Sequence, residues 1–143
     1  MELEGLFFNT SDYKIKSKKL GKGSYGTVYL AKNLKDDQLY AIKIFHSEEE
    51  FDGDKQTLFL QESMILRSLH HPCIVKFYGI SFKSISNKST FEPTILTEYL
   101  PSGSLKDVIE KENLSLSDDK WNPTKKYIII IGLCDALRLI FHS

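Results

Sequence analysis

Apolar and polar positions alternate at the start of this chain and then change period. From Tyr13 to Leu20, apolar residues alternate with basic ones, which predicts a strand with one wet face. Thr27-Val28-Tyr29-Leu30-Ala31 is rich in β-branched and aromatic residues and predicts a second strand. Leu39 to Phe45 predicts a third, reached through a polar turn over Asn33 to Gln38. Connections this short exclude crossover helices, so the three strands form an antiparallel meander. Glu48 to Asp54 reads as an acidic connection. From Gln56 to Leu69, Leu58, Phe59, Met64, Ile65, Leu66 and Leu69 recur near a period of 3.6, the mark of a helix, which His71-Pro72 ends.

Ile74 to Phe82 and Thr94 to Tyr99 predict two more strands around a polar loop, Ser84 to Thr90. After the turn Pro101-Ser102-Gly103, Ser104 caps a short helix from Leu105 to about Lys111. Asn122-Pro123 opens a last helix with an apolar stripe through Tyr127, Ile131, Cys134, Leu137 and Phe141. The order predicts an α+β fold: five antiparallel strands with one helix packed on them, followed by the beginning of a helical part. The expected division is a lead-in over 1–11, with no element assigned, a sheet domain over 12–100 and helices over 101–143.

Composition narrows the classes. Hydrophobic residues make up 41% and charged residues 27% of the chain, the balance of a folded globular domain. Nineteen basic residues cancel nineteen acidic ones, so charge gives no case for nucleic acid or an anionic membrane as partner. Cys73 and Cys134 form no C-x-x-C pair and read as buried free thiols rather than a disulfide or a zinc site. The run Tyr127 to Phe141 is too short for a membrane span and contains Asp135 and Arg138. With no basic, apolar leader at the N-terminus, a cytoplasmic location is expected.

Three features carry candidate chemistry. Gly21-Lys22-Gly23-Ser24-Tyr25-Gly26-Thr27-Val28 fits G-x-G-x-x-G-x-V. A dinucleotide-binding turn would lead into a helix, and a Walker A loop would end in Gly-Lys-Ser/Thr; neither occurs. A phosphate-cradling loop and a plain hairpin turn both remain open on these residues alone. Lys43 follows Ala41-Ile42 inside an apolar strand, where a lysine requires a partner or a ligand. Glu62, in the middle of the following helix, is the candidate partner, although a helical glutamate is more often simply solvated. His70 and His71 have too few ligand types nearby for a metal site and are given a structural role.

Taken in order, Leu20–Tyr29, Ala41-Ile42-Lys43, Gln61-Glu62, His71-Pro72-Cys73-Ile74-Val75 and Leu96–Leu105 resemble the N-terminal lobe of a eukaryotic protein kinase, closest to the tyrosine-kinase-like and tyrosine-kinase groups. The resemblance covers the chain from about residue 12 to its end. It implies ATP as cofactor and a protein as substrate. Leu20 and Val28 would cover adenine and Ala41 would line the same pocket. Gly21, Lys22, Gly23, Ser24, Tyr25 and Gly26 would close on the phosphates. Lys43 would hold the α- and β-phosphates, steadied by Glu62. Thr97 would stand at the back of the pocket, and the backbones of Glu98 and Leu100 would hydrogen-bond adenine. Leu66 and Phe77 would support the helix, and Asp107 would reach the ribose or serve its helix's first turn.

Mg2+ is implied as well, but H-R-D-L-x-x-x-N and D-F-G, which supply its ligands and the substrate-orienting aspartate, are not among the 143 residues, so no metal ligand is assigned. The expectation is the ATP-binding portion of a kinase acting on Ser/Thr (or Tyr) hydroxyls, without phosphoryl transfer by these residues alone. The alternative is a catalytically inactive kinase-like module that binds a nucleotide or a partner. The apolar stripe of the last helix is expected to lie exposed and to favour association.

Overall fold

The period changes in the sequence become five strands and three α-helices in a computed structural model that describes residues 5–46, 53–87, 91–116 and 121–142. After a 3-10 turn at Thr10–Asp12 come β1 (Tyr13–Lys22), β2 (Gly26–Asn33), β3 (Leu39–Phe45), α1 (Gly53–Ser68), β4 (Phe77–Lys83), β5 (Phe91–Glu98), α2 (Leu105–Asn113) and α3 (Pro123–His142). Most of the acidic connection, the end of the polar loop after β4 and the stretch before Trp121 lie outside the described residues. All four strand pairings are antiparallel, in the order β1-β2-β3-β5-β4. The chain divides into two compact units: Met1–His70 with Val75–Tyr99, and His71–Ile74 with Leu100–Ser143.

In the first unit the sheet buries side chains on both faces. On one face Phe45, Phe59, Ile80 and Ile95 form a cluster, with Leu6, Leu66, Phe77 and Phe82 packed against it. Phe59 of α1 meets Phe45 edge-on at 5.2 Å between ring centroids, which docks the helix on the sheet. On the other face Ala31, Ile42 and Leu96 are covered by Phe8, Tyr13, Tyr40, Ile44 and Ile85.

The helical period is correct for α1, but the expected apolar stripe is not the side it buries. Phe59 and Ser63 are buried and Leu66 joins the cluster, at i, i+4 and i+7, whereas Leu58, Leu60, Met64 and Ile65 are exposed. Ser63 fits the apolar side because its hydroxyl donates to the carbonyl of Phe59 at 2.7 Å. β4 starts at Phe77 rather than Ile74, because 71–74 make a turn closed by the Ile74 N–H on the His71 carbonyl.

The lead-in is part of the sheet unit's packing. The Ile80 N–H donates to the Leu6 carbonyl at 2.8 Å and the Phe8 N–H to the Ile80 carbonyl at 3.1 Å, which lays residues 6–8 parallel to the edge strand β4. Leu6 enters one core cluster and Phe8 the other. Gly79, at φ +152°, permits this approach, since a Cβ there would sit 2.8 Å from the Leu6 carbonyl oxygen.

In the second unit, α2 opens on a capping box. The Ser104 hydroxyl accepts the Asp107 N–H and the Asp107 carboxylate accepts the Ser104 N–H. Asn122 caps α3 by accepting the Lys125 N–H at 3.1 Å. Glu112 of α2 ties the two helices: it accepts the Trp121 indole N–H at 2.9 Å and pairs with Lys126. The expected stripe of α3 is exposed at Tyr127, Ile131, Leu137 and Phe141, and the side that packs within the unit carries Gly132 and the buried Ala136. Among the described residues no helix is long and apolar enough to cross a membrane.

The expectation of buried thiols is overturned. Cys73 and Cys134 are free, as expected, but exposed. Cys73 lies in the 71–74 turn with its sulfur against Gly132 of α3.

Candidate functional site

A lysine placed in a half-buried strand needs a counter-charge, and the fold supplies one. Lys43 in β3 projects from the face that carries Phe45, and α1 crosses that face. The Lys43 ammonium donates to both carboxylate oxygens of Glu62, at 2.7 and 2.6 Å. It also lies 4.6 Å from the centre of the Phe45 ring, a cation–π contact. The pair is not sealed: the side chains are 27% and 37% exposed. An ammonium has three donors and two face Glu62, so the third remains for an oxyanion arriving from solvent.

Register places further candidates around this pair. Val28 of β2 stands opposite Lys43, Ala41 stands opposite Thr97 of β5, and Thr97 also stands opposite Phe77 of β4. Alternation along the strands puts Val28, Ala41, Lys43 and Thr97 on one face of the sheet. Leu66 and Phe77 pack on the same cluster beneath. The carboxylate of Glu98 accepts the Lys76 N–H at 2.7 Å, so that side chain serves the start of β4. Leu100 belongs to the second unit and is exposed.

The glycine-rich segment is both a hairpin turn and an open surface. β1 runs through Leu20 and Gly21 to Lys22, β2 begins at Gly26, and the Gly23 N–H closes the turn on the Gly26 carbonyl at 2.9 Å. Lys22, Ser24 and Tyr25 are exposed. The glycines have different reasons. A Cβ on Gly21 would meet nothing within 4 Å, leaving its outer side free for a ligand. A Cβ on Gly26 would lie 2.5 Å from the Ile44 carbonyl oxygen, so the sheet itself demands glycine there. None of the three has a left-handed φ.

His71 has a structural assignment. Its Nδ1 accepts the Cys73 N–H at 3.1 Å, which leaves the protonated Nε2 to donate to Asp135 of α3, also at 3.1 Å. The Asp107 carboxylate, drawn below its ordinary pKa by the Ser104 hydrogen bonds, is engaged in its capping box. Among the described residues no group of three or more His, Cys, Asp or Glu side chains could hold a metal ion.

An antiparallel sheet, a helix laid across it, a glycine hairpin and a lysine–glutamate pair between strand and helix together define the N-terminal lobe of a protein kinase fold. The comparisons agree: the chain belongs to the protein kinase domain family, which it matches over residues 14–142. It is similar to the DNA damage response protein kinase DUN1 of Saccharomyces cerevisiae, 33% identical over 108 residues, which cover 76% of this chain and 21% of that protein. The chain thus spans about a fifth of the length of the curated relative it matches. Protein kinase domains in general use ATP and Mg2+ and act on proteins.

Proposed function

We propose that this chain is the ATP-binding portion of a Ser/Thr protein kinase, with Lys43 gripping the nucleotide's α- and β-phosphates. The observation that carries this reading is the two-pronged Lys43–Glu62 pair with its spare ammonium donor. The glycine hairpin, with no Cβ at Gly21 and open space outside it, fits a phosphate chain laid along it. Leu20, Val28, Ala41 and Thr97 would enclose adenine, and the backbones of Glu98 and Leu100 would read its edge. When bound, ATP supplies the γ-phosphoryl group that passes to a protein hydroxyl. These residues would bind and orient it, and Glu62 would keep Lys43 extended. The assignment to Ser/Thr rests on the tyrosine-kinase-like character of Glu98 to Leu105.

A fluorescent ATP analogue titrated into the chain tests the proposal. Saturable binding is expected, weakened at least about tenfold in Lys43→Met through loss of a charge-assisted hydrogen bond. Equal affinity for wild type and Lys43→Met would refute it.

A further inference from the structure

Two hydrogen bonds to Glu62 do not by themselves fix where the third donor of Lys43 points, because an ammonium on a four-carbon stem is flexible. A second hold on the ammonium comes from its own strand. Phe45, two residues on, shares the Lys43 face of β3, and the ammonium lies 4.6 Å over the centre of its ring. That is well inside the roughly 6 Å reach of a cation–π contact. The Phe45 ring is buried and packed on Phe59, so it offers the ammonium a fixed surface.

Phe45 also meets the other two parts of the site. Phe59 of α1 docks on it, and Glu62 follows Phe59 by three residues on that helix, so the seat of Phe59 on Phe45 sets where Glu62 stands. Gly26 is the register partner of Phe45 in β2, and the neighbouring His46 N–H donates to the Tyr25 carbonyl at 3.1 Å. Ser24 and Tyr25 of the hairpin tip, Phe45 and His46 of the strand end, and Lys55 and Leu58 of α1 line one small cavity. Packing alone explains an apolar side chain at position 45. It does not explain an ammonium laid over an aromatic ring there.

We propose that Phe45 is a positioning residue for nucleotide binding: its ring holds the Lys43 ammonium against Glu62 and so aims the remaining donor at the phosphate chain. Phe45 acts through Lys43 and touches no substrate atom itself. The inference rests on the nucleotide reading above and adds to it a residue outside the Ala41-Ile42-Lys43 segment.

Ring fluorination separates this role from packing, because each fluorine drains negative charge from the ring face and leaves its shape nearly unchanged. The full 143-residue chain is made with Phe45 replaced by phenylalanines of one to five ring fluorines, and a fluorescent ATP analogue is titrated into each. Affinity is expected to fall stepwise, by about two- to fivefold at five fluorines, with the thermal midpoint not lowered. The same replacement at Phe82, which packs in the cluster away from Lys43, should leave affinity unchanged. In the NMR spectrum of the nucleotide-free chain, the Lys43 ε-methylene protons should lie upfield from the Phe45 ring current and return in Phe45→Leu. The fluorinated series covers the case in which Phe45→Leu fails to fold. Wild-type binding with equal affinity across the Phe45 series would overturn the proposal and leave the nucleotide reading standing. An equal loss from the Phe82 replacement, or no upfield shift in the wild type, would overturn it too. No binding by the wild type would refute the nucleotide reading and this inference with it.

Discussion

Lys43 and Glu62 lie in different elements, 19 residues apart, yet three atoms fix their relation: one ammonium nitrogen and two carboxylate oxygens. The pair is partly open to solvent, so its contribution to folding is small, about 0–1 kcal/mol for a pair of this exposure. Its worth lies in what it presents to a ligand. Glu62→Gln is therefore expected to leave thermal stability within about 1 kcal/mol of wild type while lowering ATP-analogue affinity several-fold. Parallel denaturation and binding titrations check this, and a large stability loss with unchanged affinity would mark the pair as purely structural. At this scale the sequence was informative where chemistry is dense. An ammonium in an apolar strand demands a counter-charge, and Glu62 was the apt carboxylate. It was uninformative about the individual glycines. Gly26 answers to the Ile44 carbonyl of the neighbouring strand, and Gly79 to the Leu6 carbonyl; both contacts join segments that sequence spacing does not relate.

At the scale of elements, periodicity located the strands and helices, but composition misjudged which sides they bury. α1 carries more apolar residues than its buried side can use, and Ser63 takes an interior position by bonding within its own helix. Phe59, fully buried between α1 and the sheet, is the largest fully buried side chain among the described residues. Phe59→Ala is expected to destabilise the sheet unit by about 3–5 kcal/mol, read from urea unfolding. Met64→Ala, on the same helix but exposed, should change stability by no more than about 0.5 kcal/mol. Residues 6–8 were invisible to the pattern because three residues on a sheet edge are too few to show a period. Gly79→Ala would push a Cβ into that edge segment. It is expected to cost about 1–3 kcal/mol, with faster hydrogen exchange at the Phe8 and Ile80 amides.

For the molecule as a whole, the two units have different supports. The sheet unit rests on two aromatic-rich clusters, and the helical unit on polar ties at its helix ends. Glu112 is held below the ordinary glutamate range, first by Lys126 and then by the Trp121 indole. A depressed carboxylate contributes its stability above the unfolded pKa, about 4.3 for glutamate, and loses it as pH falls through the lower folded value. Acidification below that range should therefore release Trp121, the chain's single tryptophan, and shift its emission before the sheet unit unfolds. In Glu112→Gln the acid step in Trp121 emission should vanish, and an unchanged titration would contradict the assignment. Asp107, depressed by Ser104, adds to the same acid sensitivity.

An ATP derivative with an acyl group on its terminal phosphate tests, at the atom concerned, whether Lys43 faces nucleotide phosphates. Such a reagent transfers its acyl group to an amine held beside the phosphates, and peptide mass spectrometry then locates the modified lysine. Acylation concentrated on Lys43 and suppressed by excess ATP is the expected result. Acylation spread over exposed lysines, with none at Lys43 and no protection by ATP, would contradict a phosphate-facing Lys43.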